Sequence, residues 1–493
     1  MHWTIGSEPR YAMPYMANSP SDHHKNIPLC VDLDGTLVKT DTLLESVLLL
    51  LKKNPLSFAL IPYWLLRGKA HLKWQIANRA MPDPALLPYN KAFLLFLKKE
   101  KARGRKLVLA TGSDERIAKH VAKYLGIFDD VIGSTSKENC SGQKKAEILN
   151  KTYGHGKYEY AGNSRKDVFV WRKAAGAYVV RANARVLKQA SRVSKVIQTF
   201  PAEISVGSII KTIRIHQWSK NLLVFVPALF GHKFATDPFL PESILAFIAF
   251  SLFASSVYII NDLLDLESDR LHEHKKQRPF ASGSFSISSG FALLMILLVS
   301  GIAVTTLLPV GFLLVVLLYL AVTTAYSLKM KQIPILDVLV LACLYVLRIY
   351  AGSAATGIEV SKWLLGLSIL LFFSIAVAKR CAELQKQAVS KHNVKGRGYN
   401  SSDLPHLMQA GIIASIATLP LLMLYVNSDK ASMYYEHPVI LWITLPFALY
   451  WISRFWLLVS RDAMLEDPVE FALKDKQTYI TAGLILFILF AAS

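Results

Sequence analysis

The apolar residues of this chain follow two rhythms. Before about residue 205 they come in short bursts of strand length, among them Ile27 to Val31 and Lys106 to Ala110 (KLVLA), set between charged stretches of helical length. That alternation predicts an α/β domain on a buried sheet. After residue 205 come nearly all of the long uninterrupted apolar runs. Nine of them approach the length that crosses a bilayer, near 208–230, 241–261, 288–308, 310–328, 335–355, 362–378, 405–426, 436–458 and 477–492. The carboxyl-terminal part is therefore expected to be an all-α polytopic membrane domain of about nine helices. The expected limits are a disordered tail at 1–26, an α/β domain at 27–181, a basic linker at 182–207 and the membrane domain at 208–493. The linker carries Arg185, Lys188, Arg192 and Lys195, suited either to an anionic membrane face or to a solvated helix.

Two further apolar runs, Leu43 to Leu51 and Phe58 to Leu66, fall short of the roughly twenty residues that a span needs. A helix lying on the bilayer surface and ordinary packing over the domain both account for them. The tail holds no apolar core of signal-peptide length, which predicts a cytoplasmic amino terminus. The loop charges agree. Loops after the even-numbered spans hold Arg270, Lys275, Lys276, Arg278, Lys329, Lys331 and a dense group from Lys379 to Arg397, whereas the opposite side offers Lys233, Lys362 and Lys430. Location in the cell inner (cytoplasmic) membrane follows, with the polar motifs on the cytoplasmic side.

Composition sharpens this picture. At 493 residues, 53% hydrophobic, the chain is too apolar for an ordinary soluble protein of its size. The formal net charge of +21 suits nucleic acid, anionic lipid or phosphorylated substrates. Because the cations flank apolar runs, the lipid and phosphate readings win and nucleic acid is not expected as a partner. Cys30, Cys140, Cys343 and Cys381 show no metal-ligand spacing, and two lie in or beside spans, which argues against a disulfide framework.

The first candidate chemistry follows Ile27 to Val31, where Asp32-Leu33-Asp34-Gly35-Thr36 puts two carboxylates at the carboxyl end of a strand. Then come Thr111-Gly112-Ser113 after the strand KLVLA, Lys144 and Lys145 at the start of a helix, and Gly162-Asn163-Ser164-Arg165-Lys166-Asp167 after Tyr158 to Ala161. In this order the four pieces resemble the haloacid dehalogenase-like (HAD) phosphohydrolases. The resemblance implies a Rossmannoid domain with a helical cap at about 38–105. It implies Asp32 as the nucleophile toward a phosphoryl group and Asp34 as general acid/base, with Mg²⁺ held by Asp32, Asp34 and Asp167. Thr111 and Lys145 would bind phosphate, Lys144 being the runner-up for the lysine. The chain departs from the family at Asn163, where an aspartate is usual. An amide contributes no charge, so weaker metal binding is expected and a scaffold role for the domain stays open.

The second candidate is Asn261-Asp262-Leu263-Leu264-Asp265-Leu266-Glu267-Ser268-Asp269, directly after an apolar run and before Lys275-Lys276-Gln277-Arg278-Pro279. If the helix continues, Asn261, Asp265 and Asp269 share one face with Asp262 beside them, an arrangement that like-charge repulsion disfavours unless a cation is present. Oxygen ligands at this density suit Mg²⁺ bridging to a substrate's phosphates. The segment resembles the first aspartate motif of the UbiA superfamily of membrane prenyltransferases. With Tyr326 and Lys331 in YSLKMK and Lys379 and Arg380 in AKRCAEL, the pattern from Asn261 to Gly283 looks much more like the decaprenyl-phosphate phosphoribosyltransferase branch than the aromatic one, while Lys220 in RIHQWSKN is a further phosphate-binding candidate beside an interfacial Trp, or a snorkelling anchor. That branch implies transfer of 5-phosphoribosyl from phosphoribosyl diphosphate (PRPP) to a polyprenyl phosphate. Asp262 and Asp265 would be central, Asn261, Asp262, Asp265 and Asp269 would hold the metal, and Lys275, Lys276, Arg278, Lys379 and Arg380 would meet phosphates. Arg348, inside a span, is expected to pair with Asp337 or with a substrate phosphate. The aromatic branch, joining a polyprenyl diphosphate to a ring such as 4-hydroxybenzoate, usually has a second DxxxD. Here Leu341 follows Asp337 at that spacing. A lipid transporter with a regulatory HAD domain is the alternative from another class, and Mg²⁺-dependent turnover separates the two.

Overall fold

The computed structural model describes residues 27–202, 206–230, 239–390, 398–461, 468–472 and 474–492. They form two compact units, one from Met1–Ser208 with Asp262–Ser289, the other from Ile209–Asn261 with Gly290–Ser493. The expected tail at 1–26 lies outside the described residues.

In the first unit the elements run β1 (Leu29–Val31), α1 (Thr42–Lys53), α2 (Leu60–Leu66), α3 (Lys69–Arg79), α4 (Lys91–Ala102), β2 (Leu107–Asp114), α5 (Glu115–Leu125), β3 (Asp130–Ser134), α6 (Gln143–Tyr153), β4 (Glu159–Gly162), α7 (Val168–Trp171), β5 (Gly176–Val180), α8 (Ala184–Val193) and β6 (Val196–Phe200). The six strands are parallel, in the order β3-β2-β1-β4-β5-β6. Strand periodicity explains why both faces of the sheet are apolar. Leu29, Val31, Leu107 and Leu109 enter one core with Phe93, Leu97 and Val121, while Cys30, Val108 and Ala110 enter the other with Leu149, Tyr158 and Trp171. The insertion between β1 and β2 is helical, α1 to α4. Asp41 caps α1 by accepting the Leu44 N–H at 3.0 Å.

The segment expected to be a basic linker folds instead into α8 and the edge strand β6, which pairs with β5 from Ala177–Val196 to Val180–Phe200. The signal lies in neighbours: Val196 packs toward one core and Ile197 toward the other, as strand alternation requires.

In the second unit seven helices of the described residues are long and apolar enough to cross a membrane: Leu240–Leu264, Ile287–Thr305, Val310–Leu328, Leu336–Thr356, Lys362–Lys386, Ser401–Val426 and Pro438–Ser460. Lys476–Ala492 is apolar but shorter. The expected first span, 208–230, is not one helix. Val206–Ile213 stops at Arg214, whose backbone is left-handed (φ 56°), and a 3₁₀ stretch, Ile215–Phe225, follows. The polar residues explain the break, since they turn inward to satisfy their own groups: Trp218 Nε1 donates to Ser255 Oγ at 3.0 Å and Asn221 Nδ2 to Ser251 Oγ at 2.9 Å. This stretch lies so close to the helix Leu336–Thr356 that a Cβ on Gly352 would fall 1.9 Å from the Val224 carbonyl oxygen. Gly352→Ala is therefore expected to cost about 1 to 3 kcal/mol. Melting of the purified protein in detergent tests this against Gly311→Ala, whose Cβ would meet its nearest neighbour at 3.8 Å and is expected to change little.

Candidate active sites

β1, β2 and β4 are adjacent, so the segments leaving their carboxyl ends meet. Asp32 follows β1, Thr111 to Ser113 lie in the end of β2, and Asn163 follows β4. Lys145, in the first turn of α6, reaches into this group: its ammonium is 2.7 Å from Asp32 Oδ1 and 4.0 Å from Asp167 Oδ1, and is buried. Lys144 turns outward to Glu138 at 2.9 Å. Burial pushes the Asp32 carboxyl up to about 7. Lys145 opposes that shift, and the nearby negative charges of Asp167 and Asp34 add to it.

Asp34 accepts the Thr42 N–H at 2.8 Å and the Ser113 hydroxyl, and Thr42 Oγ1 lies 2.8 Å from Ser113 Oγ. The start of α1 is thus fastened to the second carboxylate of the motif. Asp167 is spent on local structure: Oδ2 accepts the N–H groups of Asn163 and Ser164 and the Ser164 hydroxyl, while Oδ1 accepts Tyr160 Oη at 2.9 Å. Tyr160 also takes a hydrogen bond from Lys145 at 2.7 Å. Nothing in the motif spacing pointed to Tyr160, yet it joins the lysine to the last carboxylate. Asn163 packs against the turn of the first motif, where a Cβ on Gly35 would fall 1.9 Å from its Nδ2. Lys73 of α3 donates to the Gly112 carbonyl and to Asn139 Oδ1 at 2.7 Å, which brings a cation from the insertion beside the second motif.

The acidic segment departs from a continuous helix. One helix, Phe239–Leu264, carries Asn261 and Asp262 and ends there; Asp265 stands at the break (φ −100°, ψ 14°), and Leu266–Leu271 follows. Aspartate competes for backbone groups and repels its neighbours at this spacing, which favours interruption. Asp269 still donates its N–H to the Asp265 carbonyl at 2.8 Å. Arg278 bridges two acids, with Nη1 3.1 Å from Asp262 Oδ1 and 2.7 Å from Asp269 Oδ2. Burial raises the Asp269 pKa while Arg278 pulls it down and Asp262 adds to the rise. Asp265 meets Lys52 of α1 at 3.2 Å. Arg270 makes a buried two-pronged pair with Glu45 of α1, at 2.9 and 2.6 Å. Glu45 had a visible signal, being a lone acid in the apolar helix TLLESVLLLLKK that needs a cation once buried. Lys275 and Lys276 form a 3₁₀ turn just before Arg278, Lys275 half-buried and Lys276 exposed.

In the second unit, Arg380 Nε lies 2.8 Å from Asp337 Oδ2 and its Nη1 pairs with Glu383. Tyr399 Oη donates to Asp337 Oδ1 and accepts the Ile335 N–H at 2.8 Å. Tyr326 borders Arg380. Lys220, Lys331 and Lys379 are half-buried. The expected pairing of Arg348 with Asp337 does not form. Arg348 Nε donates instead to Asn221 Oδ1 at 3.0 Å, and its guanidinium sits over the rings of Phe250, Tyr319 and Tyr345. Asp337 already answers Arg380, and aromatic faces stabilise a desolvated guanidinium.

Among the described residues no set of three or more His, Cys, Asp or Glu side chains forms a ready-made metal cage. Mg²⁺ commonly takes one or two carboxylates and completes its shell with water and substrate phosphates, and on that footing two pairs fit it by donor type. They are Asp262 with Asp269, and Asp32 with Asp34. Asp167, with Oδ2 already accepting three hydrogen bonds, fits less well.

The sequence pattern of the UbiA prenyltransferase family matches residues 224–473. The chain belongs to that family. The pattern of the haloacid dehalogenase-like hydrolases matches residues 29–170, which identifies the parallel-sheet domain. An uncharacterized protein of Sinorhizobium fredii is 34% identical over 94% of this chain and 90% of its own length, so it carries both parts. The nodulation protein NoeC of Azorhizobium caulinodans is 31% identical over 59% of this chain and 94% of its own length. The decaprenyl-phosphate phosphoribosyltransferase of Mycolicibacterium smegmatis is 29% identical over 56% of this chain and 89% of its own length. The family and the apolar helices make this UbiA-family chain a multi-pass membrane protein.

If Asp32 is the nucleophile that the HAD resemblance implies, its attack needs the carboxylate, and the Lys145 charge lowers the Asp32 pKa. Removing that charge raises the pKa. In a pH–rate profile of p-nitrophenyl phosphate hydrolysis, Lys145→Met is therefore expected to move the acid limb to higher pH than in the parent protein. A limb that stays in place or moves down contradicts the assignment.

Proposed function

We propose that this UbiA-family protein is a Mg²⁺-dependent transferase that moves 5-phosphoribosyl from PRPP to a polyprenyl phosphate, releasing pyrophosphate, on the cytoplasmic side of the inner membrane. The observation that carries this reading is the similarity to a decaprenyl-phosphate phosphoribosyltransferase across most of that enzyme's length. The residue pattern from Asn261 to Gly283 supports it.

In the reaction, the bond from the ribose anomeric carbon to pyrophosphate breaks and a bond from that carbon to a lipid phosphate oxygen forms. The acceptor is already anionic and needs no strong base. The leaving group gathers negative charge, so catalysis rests on cations aimed at it. Arg278, shared by Asp262 and Asp269 in this structure, is the cation we assign to the diphosphate, with Lys275 and Lys276 near it in sequence. Asp262 and Asp269, with Asn261 and Asp265, are the residues we assign to Mg²⁺, which when bound supplies positive charge to the leaving pyrophosphate. Lys220, Tyr326, Lys331, Lys379 and Arg380 are assigned to the phosphates of donor and acceptor.

For the HAD domain we propose hydrolysis of the ribose 5-phosphate ester on the transferase product. Asp32 accepts the phosphoryl group, Asp34 gives a proton to the leaving alkoxide and later takes one from water, and Lys145 and Thr111 hold the phosphate. Asp32 and Asp34 are the residues assigned to its metal; Asp167, its Oδ2 already accepting three hydrogen bonds, orders the loop beside them.

Membranes containing the protein, given radiolabelled PRPP, a polyprenyl phosphate and Mg²⁺, are expected to release pyrophosphate and yield a lipid-linked pentose. Asp262→Ala and Asp265→Ala are expected to abolish both. An Asp32→Asn variant is expected to accumulate the phosphorylated lipid, read by mass. Turnover of a polyprenyl diphosphate with 4-hydroxybenzoate, but not of PRPP, overturns the phosphoribosyl reading; an unchanged lipid pattern in Asp32→Asn overturns the phosphatase assignment alone.

A further inference from the structure

The insertion between β1 and β2 ends its first helix with Lys52 and Lys53 and then runs through Pro55–Leu66, a 3₁₀ turn followed by α2. This short helical stretch is apolar on two sides. One side packs inward: Trp64 and Ser57 are buried, and Trp64 joins Leu50, Ile76 and Ala80 in a small core with Ile61 against it. The other side is bare. Leu66 is 86% exposed, Leu56 82%, Phe58 66% and Tyr63 50%, with Leu60 and Leu65 close to half-exposed. A helix whose only neighbour is water keeps its outer side polar, and a contiguous apolar patch of this kind marks a surface that something covers.

We propose that the Pro55–Leu66 stretch docks on the lipid bilayer, with Leu56, Phe58, Tyr63 and Leu66 immersed at the headgroup–acyl boundary. Three observations select lipid as the occupant. The apolar stretch is bracketed by cations, Lys52 and Lys53 before it and Arg67 and Lys69 after it, the pattern that anionic headgroups complement. Tyr63 adds an amphipathic ring, with the Arg67 guanidinium 4.8 Å from its centroid, a pairing suited to the interface. Finally, Lys52 bonds to Asp265, the residue that follows directly on the helix Phe239–Leu264, which is apolar enough to span a membrane. The apolar stretch therefore starts three residues along the chain from a side chain tied to the end of that helix. A membrane surface is the covering that all three share; a second copy of the chain answers only the exposure.

The docked stretch is also one helix away from the HAD carboxylates. α1 joins the two directly, since its first residue donates to Asp34 and its last turn leads into Pro55.

The test uses the full chain in nanodiscs of phosphatidylcholine and phosphatidylglycerol that hold one copy each. Cys343 is the exposed cysteine, so Cys343→Ser gives a background for single labels. Leu66→Cys is read with an environment-sensitive fluorophore, and Lys123→Cys, on the exposed side of α5, serves as control. With brominated acyl chains in the disc, the label at 66 is expected to lose at least half its emission and to shift to shorter wavelength, while the label at 123 changes neither. Leu56→Cys is expected to repeat the result at the other end of the stretch. Emission at 66 as insensitive to brominated lipid as that at 123 overturns the proposal. So does a short-wavelength emission without quenching, which would mean that protein covers the stretch.

Discussion

Carboxylates that crowd together need cations, and this chain meets that need in the same way three times. Arg278 serves Asp262 and Asp269; Lys145 lies between Asp32 and Asp167; Arg380 serves Asp337 and Glu383. In each group one cation meets two carboxylates, most of it out of water. The cation now held by the acids is the same group that an arriving phosphate would draw away. Side chains that neutralise each other at rest and separate on binding are a natural basis for phosphate chemistry at a low-dielectric boundary.

A second constraint runs along α1. Its first residue, Thr42, bonds Asp34; Glu45 pairs with Arg270; Lys52 meets Asp265. One twelve-residue helix thus touches a motif of the hydrolase-like domain and the acidic segment of the transferase family within a single compact unit. The Glu45–Arg270 pair is buried on both sides, so removing either partner strands the other in a place where a lone charge is very costly.

The sheet and the long spans were legible because periodicity controls them: alternating or continuous apolar residues can be buried in few ways. β6 was not, since its five residues sit in a segment whose positive charges suggest a linker, and only the opposite directions of Val196 and Ile197 reveal the strand. The first apolar run misled for the converse reason. Its hydropathy is adequate, but Trp218 and Asn221 each need an internal partner, and meeting those needs turns the backbone into a 3₁₀ stretch. Among the candidate residues, Lys145 was separated from Lys144 only by which side of α6 faces Asp32. Tyr160, Glu45 and the aromatic surround of Arg348 depend on contacts far apart in sequence, which no local spacing encodes.

The acidic residues and cations from Asn261 to Arg278 are proposed to act together on a diphosphate. The most direct test is calorimetric titration of the full-length protein with PRPP, with and without Mg²⁺, in the parent and in Asp262→Asn. Saturable binding that needs the metal and is lost in the variant is the expected result; binding of equal strength without metal, or unchanged by Asp262→Asn, would contradict it.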